Sequence, residues 1–316
     1  MHDLRGSPSN LQEGCAAAET GAQYDRPTDM RFQLLRRKFT RTALAGLVCA
    51  VLVVPALATD VVTSRPSLDQ GFLLLYNLDF DQAHDMFLAW QRDHPQDPVG
   101  PTAEAAGLLF SEFHRLGILE AQFYESDKRF LGRDKPAENP GVRQRFNAAL
   151  TLAEKKATLR LAGNPRDRDA LFAMTLSSGL QADYAALIEK RNMSSLHYTR
   201  DASDWAGKLL AVDPDCYDAR VATGFSKYII GSMAAPMRWL LRIGGVAGDK
   251  KQGIIELQLT ADRGQYLAPF ARILLAIAYV RDKDTVRARQ LLAGLRDEFP
   301  KNPLFAREIA RLDASR

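Results

Sequence analysis

The sequence predicts an all-α protein whose antiparallel helix pairs stack into an α-α superhelix. Three observations predict it. Apolar residues recur at helical spacing from about residue 62 onward, and no run alternates apolar and polar as a half-buried strand would. An alanine is followed twelve residues later by a proline at Ala83/Pro95, Ala153/Pro165, Ala202/Pro214 and Ala288/Pro300. Each of these prolines falls where an apolar helical pattern stops, as a residue without an amide donor should. Ala43/Pro55 and Ala89/Pro101 share the spacing but not that setting.

The N-terminal region, residues 1–58, reads as an address. Arg36, Arg37, Lys38 and Arg41 precede the apolar stretch Ala43–Val54, Pro55 breaks it, and Ala56-Leu57-Ala58 supplies small residues for a signal peptidase. Cleavage is expected after Ala58, with delivery to the periplasm or cell envelope. The apolar stretch is shorter than the ~20 residues a spanning helix needs. Arg36-Arg37-Lys38-Phe39 fits a twin-arginine signal as well as an ordinary basic n-region, and both export routes stay open. Residues 1–29 are polar, and Met30 is an alternative start.

From residue 62 to 316 the pattern gives one repeat domain. The first pair contains Gly71, Ala83, Phe87 and Pro95. Runs at about 103–125 and 143–162 form a second pair, and runs at about 168–190 and 197–211 a third. Tyr217–Gly231 and Lys250–Asp262 form a fourth, separated by an apolar insertion at 233–249. Leu267–Phe299 gives the fifth pair, and Pro303–Leu312 a capping helix. Each pair leaves an apolar face that the next pair along must cover.

Gly71, Ala83, Phe87 and Pro95, and again Ala276, Tyr279, Ala288, Leu292 and Pro300, resemble the tetratricopeptide repeat (TPR). In that 34-residue helix-turn-helix a small residue lets two helices approach, an aromatic fills the groove and a proline ends the second helix. The stretch Leu171–Leu312 also resembles a group of exported bacterial TPR proteins. Ala182-Asp183-Tyr184, Ile188-Glu189-Lys190-Arg191, Asp213–Ala219, Arg238-Trp239-Leu240 and Phe299–Phe305 carry that resemblance. It implies the fold and an envelope location, with no settled activity.

Composition narrows the function. The chain is 46% hydrophobic and 25% charged, enough for a sizeable core. Past residue 58 there are 35 basic against 33 acidic residues, a net charge of +2 that gathers no nucleic acid. Only Cys216 of the three cysteines remains there, so no intrachain disulfide forms, and a buried structural thiol is expected. His84, His94, His114 and His197 are scattered without metal-ligand spacing, and no cofactor or metal is called for. Gly244–Lys250 departs from a phosphate loop in its glycine spacing and lacks a preceding strand. Glu125-Ser126 matches the Glu-Ser of lytic transglycosylases, but the downstream segment those enzymes need is missing.

Two segments are candidate binding elements. In the insertion, Arg238, Trp239 and Arg242 share a short amphipathic stretch; it can dock a partner, rest on a membrane surface through 233–243, or fold back into the core. Tyr184, Glu189, Lys190 and Arg191 fall on the first helix of the third pair, where the cations could hold a partner's carboxylate or pair within the chain. The expected function is a non-enzymatic scaffold that engages a protein or peptide in the cell envelope. A periplasmic solute- or lipid-binding protein is the alternative, and an envelope glycan hydrolase the remote one.

Overall fold

Eleven α-helices and no strand make up the residues that the computed structural model describes, 67–119, 136–233, 235 and 248–314. Ala58, Glu125 and the insertion residues Arg238, Trp239 and Arg242 lie outside them. The helices are α1 (Leu68–Tyr76), α2 (Phe80–Asp93), α3 (Val99–Arg115), α4 (Pro140–Gly163), α5 (Arg168–Asp183), α6 (Asn192–Val212), α7 (Arg220–Ser232), α8 (Lys250–Arg263), α9 (Ala268–Arg281), α10 (Thr285–Glu298) and α11 (Pro303–Ala314). The protein is all-α, and each helix packs on the next in sequence. Among the described residues no helix is long and apolar enough to cross a membrane.

The expected boundaries move where local chemistry decides. Helix α3 stops at Arg115 rather than continuing to 125, because Gly117 turns to φ 64° and its neighbour Ile118 donates back to the Phe113 carbonyl at 2.8 Å. Leu78 and Lys283 take the same left-handed conformation after α1 and α9, at φ 62° and 60°. In both turns the following amide closes on a carbonyl five residues back, Asp79 to Leu74 at 2.9 Å and Asp284 to Tyr279 at 2.8 Å. Orphan carbonyls at the helix ends are satisfied this way.

The four alanine–proline units share one geometry. Ala83, Ala153, Ala202 and Ala288 are all buried. Helices α2, α4, α6 and α10 end on His94, Asn164, Asp213 and Phe299, whose φ lies at −127°, −142°, −136° and −121°. A residue before proline is pushed out of the helical region, so the helix must end there. Each of those residues then accepts, through its carbonyl, the amide three positions on: Asp97, Asp167, Cys216 and Asn302, at 3.0 to 3.2 Å. Proline thus sits at the second position of a tight turn, where its fixed φ is favourable. The residue ending the turn caps the next helix in three cases: Asp97 accepts from Val99, Asp167 from Ala170, and Asn302 from Leu304, at 2.9 to 3.0 Å. Cys216 stands in that position in the fourth, and the chain there begins with a 3-10 turn, Tyr217–Ala219, without a side-chain cap. As expected, its thiol is buried.

Within the pairs, small residues set the approach. A Cβ on Gly71 would lie 2.3 Å from the Phe87 ring, so α1 and α2 close only because that position has no side chain. Gly224 of α7 and Gly253 of α8 meet backbone to backbone, where a Cβ on Gly253 would stand 2.6 Å from the Gly224 carbonyl. Gly71→Ala should cost about 2–3 kcal/mol, since neither helix nor ring has room to retreat in a close-packed core. Urea unfolding of variant and wild type measures it; an unchanged midpoint would show that Phe87 rotates away freely.

The first pair leans on more than its neighbour. The Tyr76 hydroxyl donates to the carbonyl of Tyr266 at 3.0 Å, and the Asn302 side chain donates to the Tyr76 carbonyl at 2.8 Å. Lys301 pairs with Asp79 at 2.9 Å, and Gln265 donates to Asp69 at 3.0 Å. Rings fill the space between: Phe72 lies 4.9 Å from Tyr266, Tyr76 5.4 Å from Phe299, and Phe110 of α3 5.9 Å from Phe270 of α9. Phe172 of α5 reaches Tyr266 as well, at 5.9 Å. The buried Asp218 carboxylate holds the Tyr266 and Leu267 amides at 3.0 Å each, which fixes the turn that presents Tyr266. Sequence periodicity predicts contacts only between successive pairs; here the α8–α9 and α10–α11 turns cover α1 from the other side.

Candidate functional site

The end of α5 gathers most of the expected binding residues. Helix α5 starts on Asp167, whose carboxylate accepts from Ala170, and runs with nearly every side chain in contact with protein. After Asp183 the chain widens into a π-turn, Tyr184–Ile188. It then leaves through Lys190 at φ 59° and enters α6. Such turns insert an extra residue into a helix and re-aim the side chains that follow.

Tyr184, Glu189 and Arg191 come together here, but they are committed to the chain. The Tyr184 ring is buried and stacked on Phe146 of α4, with centroids 5.0 Å apart and planes 14° from parallel. Its hydroxyl donates to the Glu138 carboxylate. Arg143 reaches Glu138 at 2.8 Å and Glu189 at 3.1 Å, and Arg191 reaches the other oxygen of Glu189 at 3.3 Å. Burial, then the bond to Glu138, pushes the Tyr184 phenol well above its ordinary range. Glu138, nearest, holds the Arg143 guanidinium above its usual range too. Tyr184, Glu189 and Arg191 therefore tie the entry of α4 to the exit of α5, and Lys190 supplies the left-handed turn. Of the two uses considered for these cations, Arg191 shows the intramolecular pairing.

Arg143→Met should loosen this corner by about 1 kcal/mol, because the guanidinium is 43% exposed and screened. The loss should shrink at 1 M salt. Thermal unfolding at two ionic strengths checks it; equal losses would assign the effect to packing of the arginine stem.

The buried carboxylates of Glu112 and Glu256 are likewise satisfied. Glu112 takes Arg115 at 2.6 and 2.7 Å and the Asn139 amide at 2.8 Å, pinning the returning chain to α3. Glu256 takes Thr223 at 2.6 Å and Lys227 at 2.5 Å between α7 and α8. Asp183 differs from these two. It is half-buried, no described residue offers its carboxyl a hydrogen bond, and burial pushes that carboxyl up to about 7. A carboxyl shifted by burial alone, without a structural partner, is the kind of group that functional sites retain.

Asp183 lies one, two and three turns along the helix from Gly179, Leu176 and Phe172. Residues spaced i, i+4, i+7 and i+11 share a face. Phe172 points that face toward Tyr266 and the layer of rings that covers α1. Farther along, Leu176 packs against the core, and no described side chain or neighbouring helix comes within 4 Å of where a Gly179 Cβ would stand. Sequence reading passed over Asp183, although this stripe was available to find it; what no stripe could reveal is that the carboxyl lacks a partner.

A hollow of about 400 Å³ beside the first turn is lined by Trp90, His94, Asp97, Val99, Arg160 and Asp169. Its polar groups are occupied: the Trp90 indole donates to Asp97 at 2.5 Å and stacks on His94, while Arg160 pairs with Asp167 and Asp169 at 2.9 and 3.3 Å. Among the described residues no three His, Cys, Asp or Glu side chains converge as metal ligands. The sequence matches no protein-family model and no curated protein.

Proposed function

We propose that this chain is a TPR-like superhelical scaffold, exported to the cell envelope, that binds a protein or peptide along the inner face of its helix array and catalyses no reaction. The observation that carries this reading is the fourfold recurrence of one turn, a buried alanine followed by an extended residue, a proline and a closing amide, at the ends of α2, α4, α6 and α10. Stacked helix-pair repeats form superhelices whose concave surfaces bind extended partners; the turn ends four of the five pairs, α8 ending instead on Gly264. The reading rests on architecture, and so on analogy between folds rather than on a reacting centre. The rings of Phe72, Phe110, Phe172, Tyr266 and Phe270 pack together, and Leu176, Gly179 and Asp183, each partly buried, continue the face of α5 that Phe172 begins.

A photoreactive amino acid at position 176 tests the inner face against the same group at Leu159, which is 65% exposed on α4. Crosslinking in intact cells should give a discrete adduct from position 176 and none from 159. Adducts from both positions alike, or from neither, would remove the reading. N-terminal sequencing of the processed protein should begin at Thr59; a protein recovered only with an intact leader would remove the export step.

A further inference from the structure

We propose that the contacts between α1 and the α8–α9 and α10–α11 turns form a latch, which opens while the helix pairs stay folded and uncovers the ring layer inside the array. This rests on the inner-face reading and says how that face becomes accessible to a partner.

The need for an opening comes from burial. In α3, α5, α7 and α9, the first helices of the later pairs, only His114, Arg115, Arg168, Ser232 and Arg281 are exposed, all at helix ends. The second helices differ: α4 alone shows Leu152 and Leu159, 40% and 65% exposed. A polypeptide laid along the first helices of the closed array would find almost no side chain to touch. Beneath lies an aromatic layer, in which Tyr266 joins Phe72 to Phe172 and Phe110 meets Phe270 edge to face. Uncovered, such rings would take aromatic or long apolar side chains of the partner.

The weak place is the join between the two ends of the chain. Consecutive helices pack lengthwise throughout, and α3 packs on α5 as well, but among the described helices none of α8–α11 packs lengthwise on α1, α2 or α3. Side-chain tips and ring edges span the join instead. The Tyr76 hydroxyl and the Asn302 amide make two half-buried hydrogen bonds there, while the Lys301–Asp79 pair and the Gln265–Asp69 bond are exposed. Exposed pairs add little, and each half-buried bond shifts an equilibrium by roughly a factor of two to ten. Inside the pairs, by contrast, Gly71 on Phe87 and Gly224 on Gly253 leave no room even for a Cβ. The array therefore parts first at the join.

Reporter thiols test this. Ala106→Cys lies one turn before Phe110 on α3, and Thr175→Cys one turn after Phe172 on α5, both at buried positions. Native Cys216, buried in the α6–α7 turn, is the reference in the same molecule. The latch variant combines Tyr76→Phe with Lys301→Ala, which removes two of the spanning interactions and keeps every ring of the layer. Alkylation of the full chain by iodoacetamide is followed site by site by mass spectrometry, and circular dichroism reports that each variant is folded. In the latch variant, alkylation at position 106 or 175 should speed up at least about fivefold, with Cys216 changing less than about twofold. Unchanged rates at both reporters, or reporters and Cys216 speeding up alike, would overturn the latch. Crosslinks from position 176 that persist beside such a result would leave the scaffold reading standing and remove this inference alone.

Discussion

Replacing Tyr266 with alanine should weaken helix α1, although 190 residues separate Tyr266 from its hydrogen-bond partner Tyr76. The ring of Tyr266 touches Phe72 and Phe172, and its carbonyl accepts from Tyr76, so the turn between α8 and α9 forms part of the wall around the first helix pair. Removing a large aromatic from a buried site costs 3–5 kcal/mol; for the half-buried Tyr266 the expected loss is about 2–3 kcal/mol. Location is more diagnostic than size. In an open array each repeat answers only to its neighbours, and a lesion near the last pair leaves the first untouched. In this fold, hydrogen exchange at the amides of Leu73–Tyr76 should speed up at least tenfold in Tyr266→Ala, and Tyr266→Phe, which keeps ring and carbonyl, should change it little. Exchange in α1 that stays at the wild-type rate, while α8 and α9 loosen, would mean that the contacts between the ends do not couple them.

Asp183→Asn should stabilise the protein, and the gain should depend on pH in a definite direction. Burial raises the folded carboxyl from 3.8 to about 7, so the folded state binds this proton more tightly than the unfolded chain does. Below pH 4 both states are protonated and the side chain carries no penalty. Between pH 4 and 7 the unfolded chain releases the proton while the folded protein retains it, and the cost of folding rises with pH until it levels off above 7. Each unit is worth about 1.4 kcal/mol, and partial exposure of the group reduces the sum to about 2 kcal/mol at pH 8. The uncharged amide escapes that rise. The difference between variant and wild type in urea unfolding should therefore be small at pH 4 and near its full value at pH 8. A difference that is flat with pH, or that favours wild type at pH 8, would mean that Asp183 is ionised at ordinary acidity.

The penalty at Asp183 comes from burial, with no described hydrogen bond to offset it. A buried carboxyl replaceable by an amide with gain is not held in place by folding. The contrast with Asp218 makes this concrete. Burial raises that carboxyl as well, but it holds two amides of the turn that carries Tyr266, and its removal would free the turn. Two aspartates, both in low-dielectric surroundings, thus differ in whether the backbone uses them.

By itself the sequence determined the local grammar of this protein. Helix periodicity placed the five pairs and the final helix. The Ala–Pro spacing located four turns, and Gly71 with Phe87 marked a close helix approach that the structure shows as a 2.3 Å exclusion. Those features are legible because they depend on residues within about a dozen positions of one another: a proline's fixed φ, a missing amide, a missing Cβ. Tertiary structure alone decided the rest. That Tyr266 covers α1, that Tyr184, Glu189 and Arg191 serve the fold, and that Asp183 has no partner among the described residues are facts about groups brought together across helices. Hydrogen bonds and tight ion pairs form only when groups come within a few ångströms, so only the folded chain determines which charges meet.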